Sequence, residues 1–112
     1  MEQRRTRRFQ LQLPLSITRS GSERVAVDGF TKNISSSGVL FTSGTAPDPG
    51  GPIEYVITLS LEGPSPVTLR CVGKVVRLER TPSIGEERRS YEVAATLERY
   101  EFVRAREFAI VR

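Results

Sequence analysis

The chain contains no histidine, a single cysteine and no long apolar run. The absence of histidine removes the commonest general base and the commonest metal ligand, and neither paired carboxylates nor a metal-ligand cluster replaces it. One cysteine, Cys71, cannot form an internal disulfide, which suits a reducing cytoplasm. No stretch approaches the roughly 18 apolar residues of a membrane helix, and the basic N-terminus is not followed by the apolar segment of a signal peptide. We therefore expect a cytoplasmic protein that is not an enzyme and uses no cofactor or metal.

The excess positive charge is concentrated at the N-terminus of this one-domain chain. The net charge is +4, of which residues 1–10 contribute +3 through four arginines and Glu2. Guanidinium groups this close together repel one another and cannot be buried unpaired, but each can grip a phosphate or a guanine edge in bidentate fashion. The segment is either a solvated basic leader or a clamp for a small anion. A long polyanion is disfavoured, because it would require positive charge spread over a face or groove.

Apolar residues recur at every second position along most of the chain, as in strands with one buried face. Alternate residues of four segments form the inward rows: 11–17, 53–61, 67–75 and 91–97. Cys71 lies on one of these rows, so we expect it to pack in the core rather than react. Several short strands separated by turns predict an all-β fold, a closed antiparallel barrel or a sandwich. A barrel is favoured because closure removes exposed strand edges.

Individual residues within these strands predict local irregularities. Pro14 has no N–H to donate, which predicts an edge strand or a bulge. Gly29 lies within a second strand, residues 24–31, and predicts a bulge or a close backbone approach. Val72 and Val76 fall on the outer row of their strand, which predicts that this side of the sheet is covered.

The periodicity changes after Glu98. Residues 99–112 are rich in Glu, Arg and Ala, and their apolar residues fall loosely along one helical stripe. The predicted organisation is a flexible basic leader at 1–10, a barrel at 11–98 and a C-terminal helix at 99–112.

Residues 33–38 read Asn-Ile-Ser-Ser-Ser-Gly and separate two apolar strands. Asn and Ser side chains bond readily to nearby backbone, and glycine accepts dihedrals or close approaches that other residues resist. Taken alone, the segment predicts an ordinary turn.

Together, the leader and this turn resemble the PilZ family, whose motifs are RxxxR and, about 20–30 residues later, (D/N)xSxxG. Here they read Arg4-x-x-x-Arg8 and Asn33-x-Ser35-x-x-Gly38. The resemblance extends to Phe9 and to the strand at residues 71–77, and covers essentially the whole chain. It implies a six-stranded antiparallel β-barrel with a C-terminal α-helix, and a bacterial receptor for the second messenger cyclic di-GMP.

The same resemblance implies roles for particular residues. Arg4 and Arg8 would bind phosphate oxygens and the guanine O6/N7 edge, with Arg5 a third contact. Asn33 and Ser35 would hydrogen-bond guanine, and Gly38 would leave space for it. Many family members have Asp where this chain has Asn33, and a carboxylate is the stronger acceptor, so we expect binding that is weaker than with Asp.

Ligand binding would neutralise the leader and order it across the barrel, a change read by an unidentified effector protein. Two alternatives stay open. One is a PilZ-like interaction adaptor that does not bind nucleotide. The other is a small barrel that binds single-stranded nucleic acid, although such modules usually place exposed aromatic side chains beside the charge.

Overall fold

The computed structural model describes residues 10–60, 62, 66–81 and 90–104. These residues form seven β-strands and, within the described ranges, no helix. The strands are β1 (Pro14–Ser20), β2 (Glu23–Ile34), β3 (Gly38–Ser43), β4 (Pro52–Ser60), β5 (Val67–Thr81), β6 (Ser90–Thr96) and β7 (Arg99–Arg104).

Six of the strands close into an antiparallel barrel. Neighbours follow the order β4-β1-β2-β3-β6-β5, and pairing of β4 with β5 completes the ring. The predicted six-stranded antiparallel barrel is therefore confirmed. The ring leaves none of its six strands with an exposed edge, which is the physical advantage of closure.

The core follows from the period-two pattern. Phe41, Tyr55, Ile57, Cys71 and Val93 are all inaccessible to solvent. Each lies on an alternating row that points into the barrel. The sequence predicted these inward rows for β4, β5 and β6, whereas for β3 it predicted an apolar strand without saying which residues point inward. The rings of Phe41 and Tyr55 pack with their centroids 5.7 Å apart.

The long strand β5 serves two different neighbours on one side. Its first half, residues 67–72, pairs with β7, and its second half, from Val75 onward, pairs with β6. A register shift between Val75 and Arg77 marks the change. On the opposite side, β5 pairs with β4 from Val67 to Lys74.

The predicted C-terminal helix is wrong for residues 99–104, which form β7. Tyr100 and Phe102 alternate with Arg99 and Glu101, and the strand pairs with β5 in a register that sets Tyr100 opposite Cys71. Pairing with β5 supplies backbone partners that local helical propensity did not anticipate. Residues 105–112 of the predicted helix lie outside the described residues, as do residues 1–9 of the leader.

The prediction for Pro14, an edge strand or a bulge, is confirmed only for the bulge. Strand β1 lies between β2 and β4 and is not an edge, but Ile17 pairs with Tyr55 and Arg19 with Glu54, so Thr18 and Arg19 together oppose one residue of β4. Pro14 is the first residue of β1, and pairing with β4 begins only at Leu15. At a strand's first position a missing N–H is tolerated, so an interior strand can start with proline.

The close approach predicted at Gly29 is confirmed: a Cβ there would lie 1.9 Å from the carbonyl oxygen of Thr42 on β3.

No helix among the described residues is long and apolar enough to span a membrane.

Candidate functional site

The Asn33–Gly38 segment is a tight hairpin turn between β2 and β3. The Ser35 N–H donates to the Gly38 carbonyl at 2.9 Å, and the three serines at 35–37 connect the two strands. The Ser37 N–H donates to the Ser35 hydroxyl oxygen at 3.3 Å. The serine side chains thus satisfy the backbone of the turn, as their types predicted. Strand β2 continues through Asn33 and Ile34, further than expected.

A register shift in β2 turns Asn33 onto the outer face of the barrel. Thr31 pairs with Phe41 and Asn33 pairs with Leu40, so Lys32 and Asn33 together oppose one residue of β3. Such a bulge changes the direction of the side chains that follow it. Thr31 therefore points into the core at 1% exposure, whereas Asn33 is partly exposed two residues later.

A second bulge lies across the same face, in β5. Val75 pairs with Ala95 and Arg77 pairs with Ala94, so Val76 and Arg77 together oppose one residue of β6. Val76 is 61% exposed, which corrects the expectation that its side of the sheet is covered.

Between the two bulges lies a shallow groove of about 280 Å³. The pairs Asn33–Leu40, Leu40–Ala94 and Ala94–Arg77 form one row across four neighbouring strands, so Asn33 and Arg77 lie at opposite walls of the groove with Leu40 and Ala94 between them. The full lining is Asn33, Ser35, Ser37, Gly38, Val39, Leu40, Val76, Arg77, Ala94, Ala95 and Thr96. We call this surface the turn groove.

The charged residues near the turn groove form two ion pairs at its surface. Lys32 Nζ lies 2.5 Å from Glu92 Oε2, so its charge is largely compensated. Arg77 Nε lies 3.9 Å from Glu79 Oε2, and both side chains are well exposed, so this pair is weak. Arg77 therefore leaves positive charge at its wall of the groove, available to an anion.

Backbone packing requires glycine at position 38, independently of its place in the groove. A Cβ at this position would lie 2.9 Å from the carbonyl oxygen of Ala95 on β6, closer than side chains approach a backbone oxygen. Any larger residue would push β3 and β6 apart at the edge of the groove.

The chain enters the barrel beside this groove. The Leu13 N–H donates to Thr31 Oγ1 at 2.9 Å, the Thr31 N–H donates to the Leu13 carbonyl at 2.9 Å, and the Thr31 hydroxyl donates to the Leu11 carbonyl. Residues 11–13 thus run alongside β2 in the direction of Asn33. We call this set of three hydrogen bonds the leader anchor.

The structure brings three of the six predicted site residues together: Asn33, Ser35 and Gly38 all line the turn groove. Arg4, Arg5 and Arg8 lie outside the described residues. Sequence reasoning missed Arg77 and Val76. The sequence pattern placed Val76 on the outer row of its strand, which was a signal that it faces away from the core. A bulge that brings two consecutive side chains to one face cannot be predicted from a period-two pattern.

Other features of the described structure do not form a reactive site. A larger concavity of about 430 Å³ on the outer face of β4, β5 and β7 is lined by charges that compensate one another, including the Arg70–Glu101 pair at 2.9 Å. No group of three or more potential metal ligands occurs among the residues described. Burial raises the pKa of the Cys71 thiol to about 12, which makes it a core residue rather than a nucleophile.

These features define a small closed β-barrel with a polar surface groove beside the point where its basic N-terminal segment joins. The family model of the PilZ domain matches residues 2–99, so the protein belongs to the PilZ family. PilZ domains are receptor or adaptor domains rather than enzymes, and the family is known for binding cyclic di-GMP. No curated protein and no solved structure matches the chain in the corresponding comparisons.

Proposed function

We propose that this protein is a bacterial, cytoplasmic receptor for cyclic di-GMP, which binds between the turn groove and the arginines of residues 4–8. The observation that carries the proposal is the leader anchor. It ties residues 11–13 to Thr31, two residues before Asn33, and this supports a binding mode in which the leader arginines act on the same side of the barrel as the turn groove.

Covalent geometry supports this convergence. Arg8 precedes Leu11 by three residues, a span of at most about 11 Å, and Arg4 precedes it by seven, at most about 25 Å. Because Leu11 is held beside Thr31, both guanidinium groups are within reach of the groove.

The ligand offers two phosphates and two guanines. Arg4 and Arg8 contact phosphate oxygens and the guanine O6/N7 edge, and Arg5 is a third contact. Asn33 and Ser35 hydrogen-bond a guanine from the barrel side. Arg77, on the opposite wall, adds a guanidinium that the family motif does not include.

Binding neutralises the repulsion among the leader arginines and orders the leader across the groove. The ordered leader is the signal that an effector protein reads. The proposal needs no catalytic step, consistent with a chain that has no histidine.

Titration calorimetry with cyclic di-GMP tests the proposal, with GTP and cyclic AMP as ligand controls. Arg4→Ala or Arg8→Ala removes a charge-assisted contact worth about 1.5–3 kcal/mol, so each should weaken binding by about one to two decades. Arg24→Ala is the matched control. Arg24 is exposed and lies roughly 30 Å from Asn33 along β2, so its loss should leave affinity unchanged.

Cyclic di-GMP binding that is unaffected by Arg4→Ala and Arg8→Ala would rule out the clamp. No binding by the parent chain would favour the adaptor alternative. Binding of single-stranded RNA with a steep salt dependence, in place of cyclic di-GMP binding, would favour the nucleic-acid alternative.

A further inference from the structure

We propose that Thr31 is a positioning residue: its side chain fixes the point at which the basic leader leaves the barrel and so keeps the leader arginines close to the turn groove. The inference rests on the proposed function in one respect, that the arginines act on a ligand in this groove. The anchoring itself can be tested without ligand.

Thr31 is buried at 1% exposure, yet both hydrogen bonds of its hydroxyl go to residues that precede β1 and belong to no strand. Thr31 Oγ1 accepts the Leu13 N–H at 2.9 Å and donates to the Leu11 carbonyl. One side-chain oxygen thus takes the place of two backbone groups of β2 that would pair with a longer β1, and it does so just before β1 begins.

The location of these bonds gives them a consequence for the ligand site. Without the two hydroxyl bonds, the backbone bond from the Thr31 N–H to the Leu13 carbonyl remains, so the first residue held against β2 is Leu13. The span from Arg8 to its first attachment would then grow from three residues to five. With the −3/2 power dependence on tether length, this lowers the effective concentration of the arginines at the groove by about twofold.

The matched pair Thr31→Val and Thr31→Ser tests the inference. Valine keeps the branched shape but loses the hydroxyl, whereas serine keeps the hydroxyl. Thr31→Val should weaken cyclic di-GMP binding about twofold, and Thr31→Ser should bind like the parent. Circular dichroism and thermal unfolding establish that each variant is folded, and Thr31→Ala replaces the valine variant if that one is not.

A double-mutant cycle separates positioning from simple structural damage. In an Arg4→Ala, Arg5→Ala, Arg8→Ala background, Thr31→Val should have no further effect on the remaining affinity, because no leader contact is left to position. An equal loss in both backgrounds would mean that Thr31 acts only on the barrel, and the inference would be overturned.

Amide hydrogen exchange without ligand provides the independent readout. The Leu13 N–H should exchange about fivefold faster in Thr31→Val than in the parent, and at the parental rate in Thr31→Ser. If Leu13 exchange is unchanged in Thr31→Val, the anchor is wrong. If Leu13 responds as expected but the parent does not bind cyclic di-GMP, the anchor stands and the proposed ligand fails.

Discussion

Gly29 lies where β2 and β3 approach each other closely. A Cβ there would be 1.9 Å from the Thr42 carbonyl oxygen, and one at Gly73 would be equally close to the Thr96 carbonyl oxygen. Neither backbone oxygen can rotate away as the end of a side chain could. The two glycines are therefore required by the spacing of the strands, not by any dihedral angle that only glycine adopts.

We expect Gly29→Ala to lower the free energy of unfolding by about 2–3 kcal/mol, the range for overpacking a rigid site. Urea unfolding measures this effect. Gly44→Ala is the control, because a Cβ at Gly44 would meet nothing within 4 Å, and its effect should be within about 0.5 kcal/mol. Equal stabilities for the two variants would contradict the close packing of β2 against β3.

Within individual elements, sequence periodicity predicted most of the structure but not its interruptions. Alternation along residues 53–61 and 67–75 identified β4 and the first part of β5, because the core selects apolar side chains at every second position. The bulges at Lys32–Asn33 and Val76–Arg77 depend on how neighbouring strands align across the barrel. No local pattern carries that alignment.

Strand β7 shows the same limit. Its arginine and glutamate suggested a helix, yet pairing with β5 decided its conformation. The Asn33, Ser35 and Gly38 side of the site could be predicted because a short motif carried it. Arg77 could not be predicted, because it lies about forty residues after the motif in the sequence and reaches the same groove only through the bulge in β5.

The β5 bulge makes a specific prediction about Arg77. If its guanidinium contacts the ligand from the far wall of the groove, Arg77→Ala should weaken cyclic di-GMP binding about tenfold. Stability should hardly change, because the Arg77 side chain is exposed and its ion pair with Glu79 is weak. Calorimetry and thermal unfolding measure the two effects.

Arg80→Ala is the matched control for Arg77→Ala. It removes the same charge from the same strand, also at an exposed position, but three residues beyond the groove. Equal losses of affinity in both variants would indicate a general effect of net charge rather than a contact.

In the molecule as a whole, the excess positive charge is concentrated in the leader and the rest of the chain is nearly neutral. Residues 11–112 carry a net charge of only +1, and the buried core of the described residues includes two titratable groups, Tyr55 and Cys71. Tyr55 donates to the Thr96 carbonyl at 3.1 Å, and burial raises the pKa of its hydroxyl, with smaller contributions from Cys71 and Glu98. Both groups are therefore neutral in the folded barrel at physiological pH.

The raised pKa of Cys71 predicts a loss of stability in alkali. The thiol pKa is about 12 in the folded barrel against 9.0 for an exposed thiol. Below pH 9 the thiol is neutral in both states and stability does not depend on it. As the pH rises from 9 towards 12, the unfolded chain releases a proton that the folded one retains, and stability falls by up to about 1.4 kcal/mol per pH unit.

Urea unfolding between pH 7.5 and 10.5 measures this dependence. Cys71→Ala should be less stable at neutral pH, because a core side chain is truncated, but its stability should decline less steeply above pH 9. Parallel pH profiles for parent and variant would show that the thiol is not held neutral by burial.

The position of Gly38 has a consequence for reading other sequences of this family. Its hydrogen atom faces the Ala95 carbonyl oxygen so closely that the fold itself excludes a larger side chain. A relative that no longer recognises nucleotide would still need this glycine to keep its barrel intact. The presence of this glycine in a relative therefore indicates the barrel fold, whereas the loss of Asn33 or of the leader arginines would indicate a domain that no longer binds nucleotide.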